Sequence, residues 1–387
     1  MRKIMLKRSF LLISMIMVLS TSSCIKETYN MKMLSKKAHL SPTIAISAIK
    51  GDISLSDIVK TNDTVVFDQN KLVILVFKKD SVVDLKMTDF SKGTLFQKTA
   101  TIDPTTIDLN LHDVLRHITG DFQFLNPTIK FNYTNSFQDS VKINLNASGQ
   151  NKDKSIPLNL LPFFLVKPNI PVQQEITTIY LIDKNNSNLK NLVSLPPETI
   201  NFSGNAILTT SVKSNSGGDN LLSPNHLLGS LEVEVPLDMT INNLQFTDTV
   251  DNFMKDKGNG NDNPASPEDF QFLRIKISAK NGFPLGVSVK MSLYDSGTNS
   301  YKSTVEATGI LDPAPVDSNG KASGVTESSS TIEFTRDFFS VVNKADKIIF
   351  QFTLNTTGNG SQEIKIYSDY RINFNAALVV KPDINLK

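Results

Sequence analysis

Period-two alternation of apolar and polar residues recurs along this chain, with no long helical stretch between the runs. Ile129-Lys130-Phe131-Asn132-Tyr133 and Val141-Lys142-Ile143-Asn144-Leu145 alternate in this way. So do Leu231-Glu232-Val233-Glu234-Val235, Val287-Ser288-Val289-Lys290-Met291, the stretch from Ile348 to Leu354, and Ile364-Lys365-Ile366-Tyr367. Successive side chains of a strand point to opposite faces, so each run packs one face and wets the other. Leu72-Val73-Ile74-Leu75-Val76-Phe77 is a continuous apolar β run. Clusters of Gly, Asn, Asp and Pro separate the runs and supply the turns. The pattern predicts an all-β fold of antiparallel sheets packed as sandwiches, not a parallel α/β sheet. A few short helices are expected: Ser54 capping Leu55–Val59, Asn110 capping Leu111–Ile118, Ser187 or Asn188 capping Leu189–Ser194, and Asp337 capping Phe338–Ala345. Each is too short to stand alone and must lie against a sheet.

The runs also repeat. Asp84-Leu85-Lys86-Met87-Thr88-Asp89 resembles Asn243-Leu244-Gln245-Phe246-Thr247-Asp248, and Asp121-Phe122-Gln123-Phe124-Leu125 recurs unchanged at Asp269-Phe270-Gln271-Phe272-Leu273. Asn135-x-Phe137 and Val141-Lys142-x-x-Leu145 return as Asn281-x-Phe283 and Val289-Lys290-x-x-Leu293. Thr178-Ile179 precedes a short helix and a strand, as does Thr331-Ile332. The landmarks keep their order, which predicts a duplication: two similar β units near 66–215 and 225–375. The expected domains are a leader over 1–23, a tether over 24–40, an N-terminal β region over 41–220 containing the first unit, and a C-terminal β-sandwich unit over 221–387.

The leader is read from Cys24, the only cysteine. Arg2, Lys3, Lys7 and Arg8 precede an apolar run of ten residues from Phe10 to Leu19, and Ser20-Thr21-Ser22-Ser23 stand before the cysteine. That is the layout of a bacterial lipoprotein signal, in which the cysteine is lipidated. The run is well short of the roughly 20 residues that span a bilayer. Thr21 stands where a strict lipobox has leucine, a relaxation similar to that of Bacteroidetes lipobox sequences. The anchor is thus expected to be lipid on Cys24, placing the protein at the outer membrane. Lys26-Glu27 favours the cell surface over the periplasmic face.

Cleavage before Cys24 changes the charge. The chain carries 40 basic and 38 acidic residues, net +2; losing the four leader bases leaves 36 against 38, net −2. No basic patch points to nucleic acid. With a single cysteine no intrachain disulfide can form, so burial alone must stabilise the fold. The aromatic residues are 23 Phe and 7 Tyr with no Trp, which lowers the odds of a carbohydrate-binding module.

Several segments resemble a group of uncharacterised Bacteroidetes cell-envelope lipoproteins. They are Asn186-Ser187-Asn188-Leu189 through Leu195-Pro196-Pro197-Glu198 to Phe202, Val233-Glu234-Val235-Pro236-Leu237, Asn281-Gly282-Phe283-Pro284, Leu293-Tyr294-Asp295, and Lys365-Ile366-Tyr367-Ser368-Asp369-Tyr370. The opening Ser41-Pro42-Thr43-Ile44-Ala45-Ile46 and Ile53-Ser54-Leu55-Ser56-Asp57 are similar to the start of that group. The resemblance implies a compartment and a β fold; it brings no activity, because its motifs are packing and turn motifs.

Catalytic signatures are missing: no G-x-S-x-G elbow, no Walker A loop and no HExxH motif. The histidines are His39, His112, His117 and His226. His112 and His117 lie five apart on an expected helix and face different sides, whereas a ligand pair wants i,i+4. Asp113 and His117 read as a surface pair. The loop Asp256-Lys257-Gly258-Asn259-Gly260-Asn261-Asp262-Asn263-Pro264 is oxygen-rich, which suits calcium. Gly258 and Gly260 nevertheless occupy positions that ligands would need, so it reads as a solvated loop. Tyr367, Asp369 and Tyr370 read as cross-strand packing, with Tyr367 and Asp369 on one face and Tyr370 on the other. No catalytic residue, metal or cofactor is expected. The leading expectation is a non-enzymatic, lipid-anchored envelope protein that binds or scaffolds a partner. Its rivals are a fimbrillin-like pilus subunit and a hydrolase using a carboxylate pair. The pilus reading needs proteolytic release of an N-terminal strand, and after Cys24 no arginine occurs before Arg116.

Overall fold

The computed structural model of the protein describes residues 38–40, 42–58, 61–90, 92–94, 96–109, 118–151, 154–169, 175–194, 197–209, 225–252, 270–382 and 384–386. Cys24, most of the tether, the expected helix start at Asn110 with His112 and His117, and the loop 256–264 lie outside them. In chain order the first elements are β1 (Ala38–Leu40), β2 (Ile44–Ser54), α1 (Leu55–Ile58), β3 (Val65–Phe67), β4 (Val73–Lys86), β5 (Lys92–Gly93), β6 (Gln97–Asp108), β7 (Ile118–Phe124) and β8 (Thr128–Asn135). Then come β9 (Ser140–Asn151), β10 (Lys154–Leu158), β11 (Phe163–Phe164), β12 (Ile176–Ile182), α2 (Leu189–Ser194), β13 (Thr199–Thr209), β14 (His226–Pro236) and β15 (Asp238–Asp251). The last are β16 (Phe270–Asn281), β17 (Leu285–Asp295), β18 (Ser300–Leu311), β19 (Thr326–Thr335), α3 (Arg336–Val342), β20 (Lys347–Thr356), β21 (Ile364–Lys365), β22 (Arg371–Pro382) and β23 (Ile384–Leu386).

The chain forms two compact units. One comprises 1–42 and 383–387; its described part is β1 paired antiparallel with β23, Ala38 opposite Leu386 and Leu40 opposite Ile384. The other spans Thr43–Pro382 and contains two antiparallel β-sandwiches. In the N-terminal sandwich, sheet I has the order β12-β8-β14-β4-β3 and sheet II the order β10-β9-β13-β6-β5, with β11 also on β9. In the C-terminal sandwich, sheet III runs β19-β16-β22-β2, and sheet IV runs β18-β17-β20-β15-β21 with β7 also on β15.

Alternation decides which side chains fill these layers. Ile129, Phe131 and Tyr133 on β8 face Val141, Ile143 and Leu145 on β9, and all six are buried in one core with Phe202, Leu231 and Val233. Lys130, on the solvent side of β8, instead joins Lys78, Glu232 and Glu234 in a ladder across three strands: Lys78–Glu232 at 3.0 Å, Lys130–Glu232 at 3.2 Å, and a Lys130–Glu234 contact. Partial burial opposes both charges. The hydrogen bonds to Glu234 and Glu232 outweigh it and raise the Lys130 pKa; those from Lys78 and Lys130 do the same in lowering that of Glu232. The C-terminal sandwich has a smaller sealed core, in which Phe338 and Val342 of α3 pack with Leu293, Phe334 and Ile348.

The two sandwiches repeat one topology. Sheets III and I match strand for strand as β19, β16, β22 and β2 against β12, β8, β14 and β4. Sheets IV and II match as β18, β17, β20 and β15 against β10, β9, β13 and β6. The helices α2 and α3 occupy the same step, between an edge strand of one sheet and a central strand of the other. One strand breaks the chain order. β2, the counterpart of β4, precedes the whole N-terminal sandwich yet completes sheet III, with Ile44 opposite Val380 and Ser54 opposite Arg371. The N-terminal sandwich is thus inserted after the first strand of the C-terminal one. Sheets therefore cross the expected boundary at 220/221: β2 and β7 belong to the C-terminal sandwich and β14 to the N-terminal one. The repeated pentapeptide is not equivalent in the two halves either, because Phe122–Phe124 lie in β7 of sheet IV and Phe270–Leu273 in β16 of sheet III.

The repeated Asn-x-Phe is equivalent. Both asparagines are fully buried at the entry to the connection that joins the two sheets. Asn135 Oδ1 accepts the Phe137 N–H at 3.0 Å and Asn281 Oδ1 the Phe283 N–H at 2.9 Å, so each carboxamide makes an Asx turn. The start of α3 differs from expectation. α3 begins at Arg336 after Thr335, because β19 runs on to that residue, and Asp337 occupies the first turn, where a carboxylate complements the helix dipole. Ser187 Oγ accepts the Leu189 N–H at 3.3 Å, while the Asn188 carboxamide ties the end of β10 through Asn159 N–H and Pro157 O. At α1, Ser54 Oγ donates to Asp57 at 2.7 Å and Asp57 also accepts the Ser54 N–H.

Candidate functional site

The described histidines do not converge. His39 lies in β1 opposite Asn385, and His226 lies in β14 with Nε2 3.6 Å from Glu175 and its backbone N–H on Ser136 Oγ. Among the described residues no group of three or more His, Asp or Glu side chains is placed to hold a metal ion. No helix among them is long and apolar enough to cross a membrane.

The segment Ile366–Tyr370 builds a joint between the sandwiches. It does not alternate as a strand: Tyr370 N–H returns to Tyr367 O at 3.2 Å, a turn that brings the two rings together at 5.5 Å. Three chain segments close around it. Val73 N–H donates to Ile366 O, Ile366 N–H to Leu237 O, and Leu237 N–H to Val73 O, at 2.8 to 3.0 Å. Ser368 N–H reaches Lys71 O, and α1 is tied down by Leu55 N–H to Tyr370 O and Ser56 N–H to Ser368 O. Buried Asp238, at the β14–β15 crossover, accepts from Asn126 Nδ2 at 2.5 Å and lies 4.0 Å from Lys365 Nζ. The Lys71–Asp369 pair at 3.2 Å is solvent-exposed and contributes little.

Tyr370 is the ionisable centre of the joint. Its hydroxyl oxygen accepts the Ala322 N–H at 2.7 Å. Burial pushes its phenol up to about 12, against the Ala322 hydrogen bond and with help from Tyr367, Asp369 and Asp317. An unfolded tyrosine ionises near 10. The folded pKa is the higher, so the joint's contribution is complete below pH ~10 and is lost as pH rises through about 12. A phenolate absorbance titration should show this late step in the wild type and lose it in Tyr370→Phe.

A cleft of about 690 Å³ lies on sheet III. Two cross-strand rows line it: Glu327, Lys280 and Asn373, then Ser329, Ser278 and Asn375, with Lys50 of β2 at the end of the second row. Lys280 and Glu327 pair at 2.6 Å; each holds the other charged, raising the lysine pKa and lowering that of the glutamate. Small hydroxyl and amide side chains between charged walls suit a polar ligand. None of these residues stands out in the sequence, because strands far apart in the chain bring them together. The other face of β2 carries Ile44, Ile46, Ile49 and Ile53, which stay 45%, 55%, 58% and 37% exposed.

No family model matches the chain. No curated protein matches it. Among solved structures, the chain is similar to a Parabacteroides distasonis protein proposed to be secreted, with a TM-score of 0.49 and 16% identity over 88% of this chain and 99% of that one. It is more distantly similar to the VP2 subviral particle of infectious bursal disease virus, with a TM-score of 0.17 and 10% identity over 94% and 75% of the two chains.

Proposed function

We propose that this chain is a lipid-anchored cell-envelope protein with a non-enzymatic binding or scaffolding role, held at the outer membrane through Cys24 with the cell surface as its side. The observation that carries the reading is the joint at Ile366–Tyr370, which makes two sandwiches one body with open polar faces. Several titratable side chains on those faces are engaged in cross-strand pairs: Lys280–Glu327, Arg274–Glu333, Lys290–Glu306 and the Lys78–Glu232–Lys130–Glu234 ladder. Such a body suits presentation of a surface better than acid–base chemistry, and the cleft on sheet III is the surface it presents. The resemblance to Bacteroidetes envelope lipoproteins and the basic, apolar, small-residue sequence before Cys24 support the anchor.

Metabolic labelling with palmitate tests the anchor. The wild type should incorporate label and fractionate with membranes, and Cys24→Ala should do neither. Equal labelling of the two would remove the anchor from the account. Protease shaving of intact cells then reports the side: loss of the protein places it on the surface, and protection places it on the periplasmic face.

A further inference from the structure

β2 ends its sheet. Along its 11 residues it pairs with β22 on one edge and, among the described residues, with no strand on the other. Its counterpart β4 shows what a completed edge looks like, since there β3 adds a short antiparallel strand with Val65 opposite Leu75 and Phe67 opposite Val73. Long open edges are sites of strand addition unless charge, proline, a bulge or a covering element blunts them. β2 has one bulge, between Ser47 and Ile49, and runs regularly after it.

The regular part is Ile49-Lys50-Gly51-Asp52-Ile53, and read backwards it keeps its apolar ends and glycine centre while its two charges exchange. We propose that β2 pairs antiparallel with β2 of a second copy of this chain about a two-fold axis at Gly51. Lys50 then lies opposite the partner's Asp52 twice over, and Ile49 opposite the partner's Ile53 twice over. The faces agree: Lys50 and Asp52 share the outer face of sheet III, and Ile49 and Ile53 share the inner face with Gly51. On that inner face the Phe374 ring covers Gly51, where an added Cβ would meet the ring at 2.5 Å, so isoleucines and ring form one apolar strip. Among the described residues, the ion pair of Asp52 is a loose, exposed contact to Arg371 at 3.9 Å. The contact is isologous and closes on itself, giving a dimer and not a filament. It would join two four-stranded sheets into one.

Sedimentation equilibrium of the full chain with a charge exchange tests the proposal. The wild type should dimerise. Lys50→Asp sets acid against acid at both pairs and Asp52→Lys sets base against base, so each should raise the dissociation constant by about tenfold. The double exchange Lys50→Asp/Asp52→Lys restores both pairs and should return the wild-type constant. If a single variant fails to fold, hydrogen exchange of the wild type decides instead: amides from Ile49 to Ile53 should gain protection as concentration rises through the dimer range. A wild type that stays monomeric, a dimer unaffected by either single exchange, or β2 amides whose exchange ignores concentration would overturn the proposal.

Discussion

Replacing Phe131 with alanine is expected to lower the unfolding free energy by about 3–5 kcal/mol, the range for truncating a fully buried phenylalanine. Phe131 is 1% exposed on β8, an interior strand of sheet I, stacks on Tyr133 at 5.5 Å and meets the edge of Phe163 at 6.1 Å. Its ring also occupies the space over Gly229, where an added Cβ would stand 2.6 Å from ring atom Cε2. Gly229→Ala should therefore destabilise the wild type but cost much less once Phe131 is alanine. Chemical denaturation of the four chains gives the coupling, and neighbours in contact typically couple by roughly 0.5–3 kcal/mol. Additive effects would mean that the ring does not lie over the glycine.

The second large effect is expected from Asn281→Leu, at about 3 kcal/mol or more. Asn281 is fully buried, donates from Nδ2 to Leu285 O at 2.8 Å and Asp312 O at 2.9 Å, and accepts the Phe283 N–H. Leucine would remove three hydrogen bonds to part-buried backbone groups, and a group left unsatisfied away from water costs roughly 1–3 kcal/mol. Asn281→Asp keeps the acceptor for Phe283 but loses both donors, so it should remain destabilised. Asn135→Leu should behave alike in the other sandwich, since Asn135 binds Val166 O and Phe137 N–H in the same way. Denaturation midpoints for the three variants check the series.

The two asparagines also show what was legible in the sequence. Asn135-x-Phe137 and Asn281-x-Phe283 are local turn chemistry, so spacing alone exposes them. The alternating runs were legible for the same reason: burial of one face is a property of each strand by itself. Partner choice is not local. Nothing in Ile44–Ser54 says that it pairs with residues more than 300 positions later, or that identical pentapeptides enter different sheets. The alternation expected through Tyr367-Ser368-Asp369-Tyr370 failed because backbone bonds to Lys71, Leu55 and Ser56 favour a turn there. The cleft on sheet III was hidden for the same non-local reason, although Ile49–Ile53 could have been noticed for its reversed-charge symmetry.

The placement of β2 is central, because it makes the two sandwiches one interlocked body. Ser47 and Ala377 are directly opposed on β2 and β22. Opposed residues of an antiparallel pair lie about 4.5–5.5 Å apart between Cα atoms, within disulfide reach. In a Cys24→Ala background, which removes the only native thiol, Ser47→Cys/Ala377→Cys should form an intramolecular disulfide under mild oxidation. Mass spectrometry of the digest should find the two peptides joined. Two thiols that remain free and fully alkylated under the same oxidant would contradict the insertion of the N-terminal sandwich behind β2.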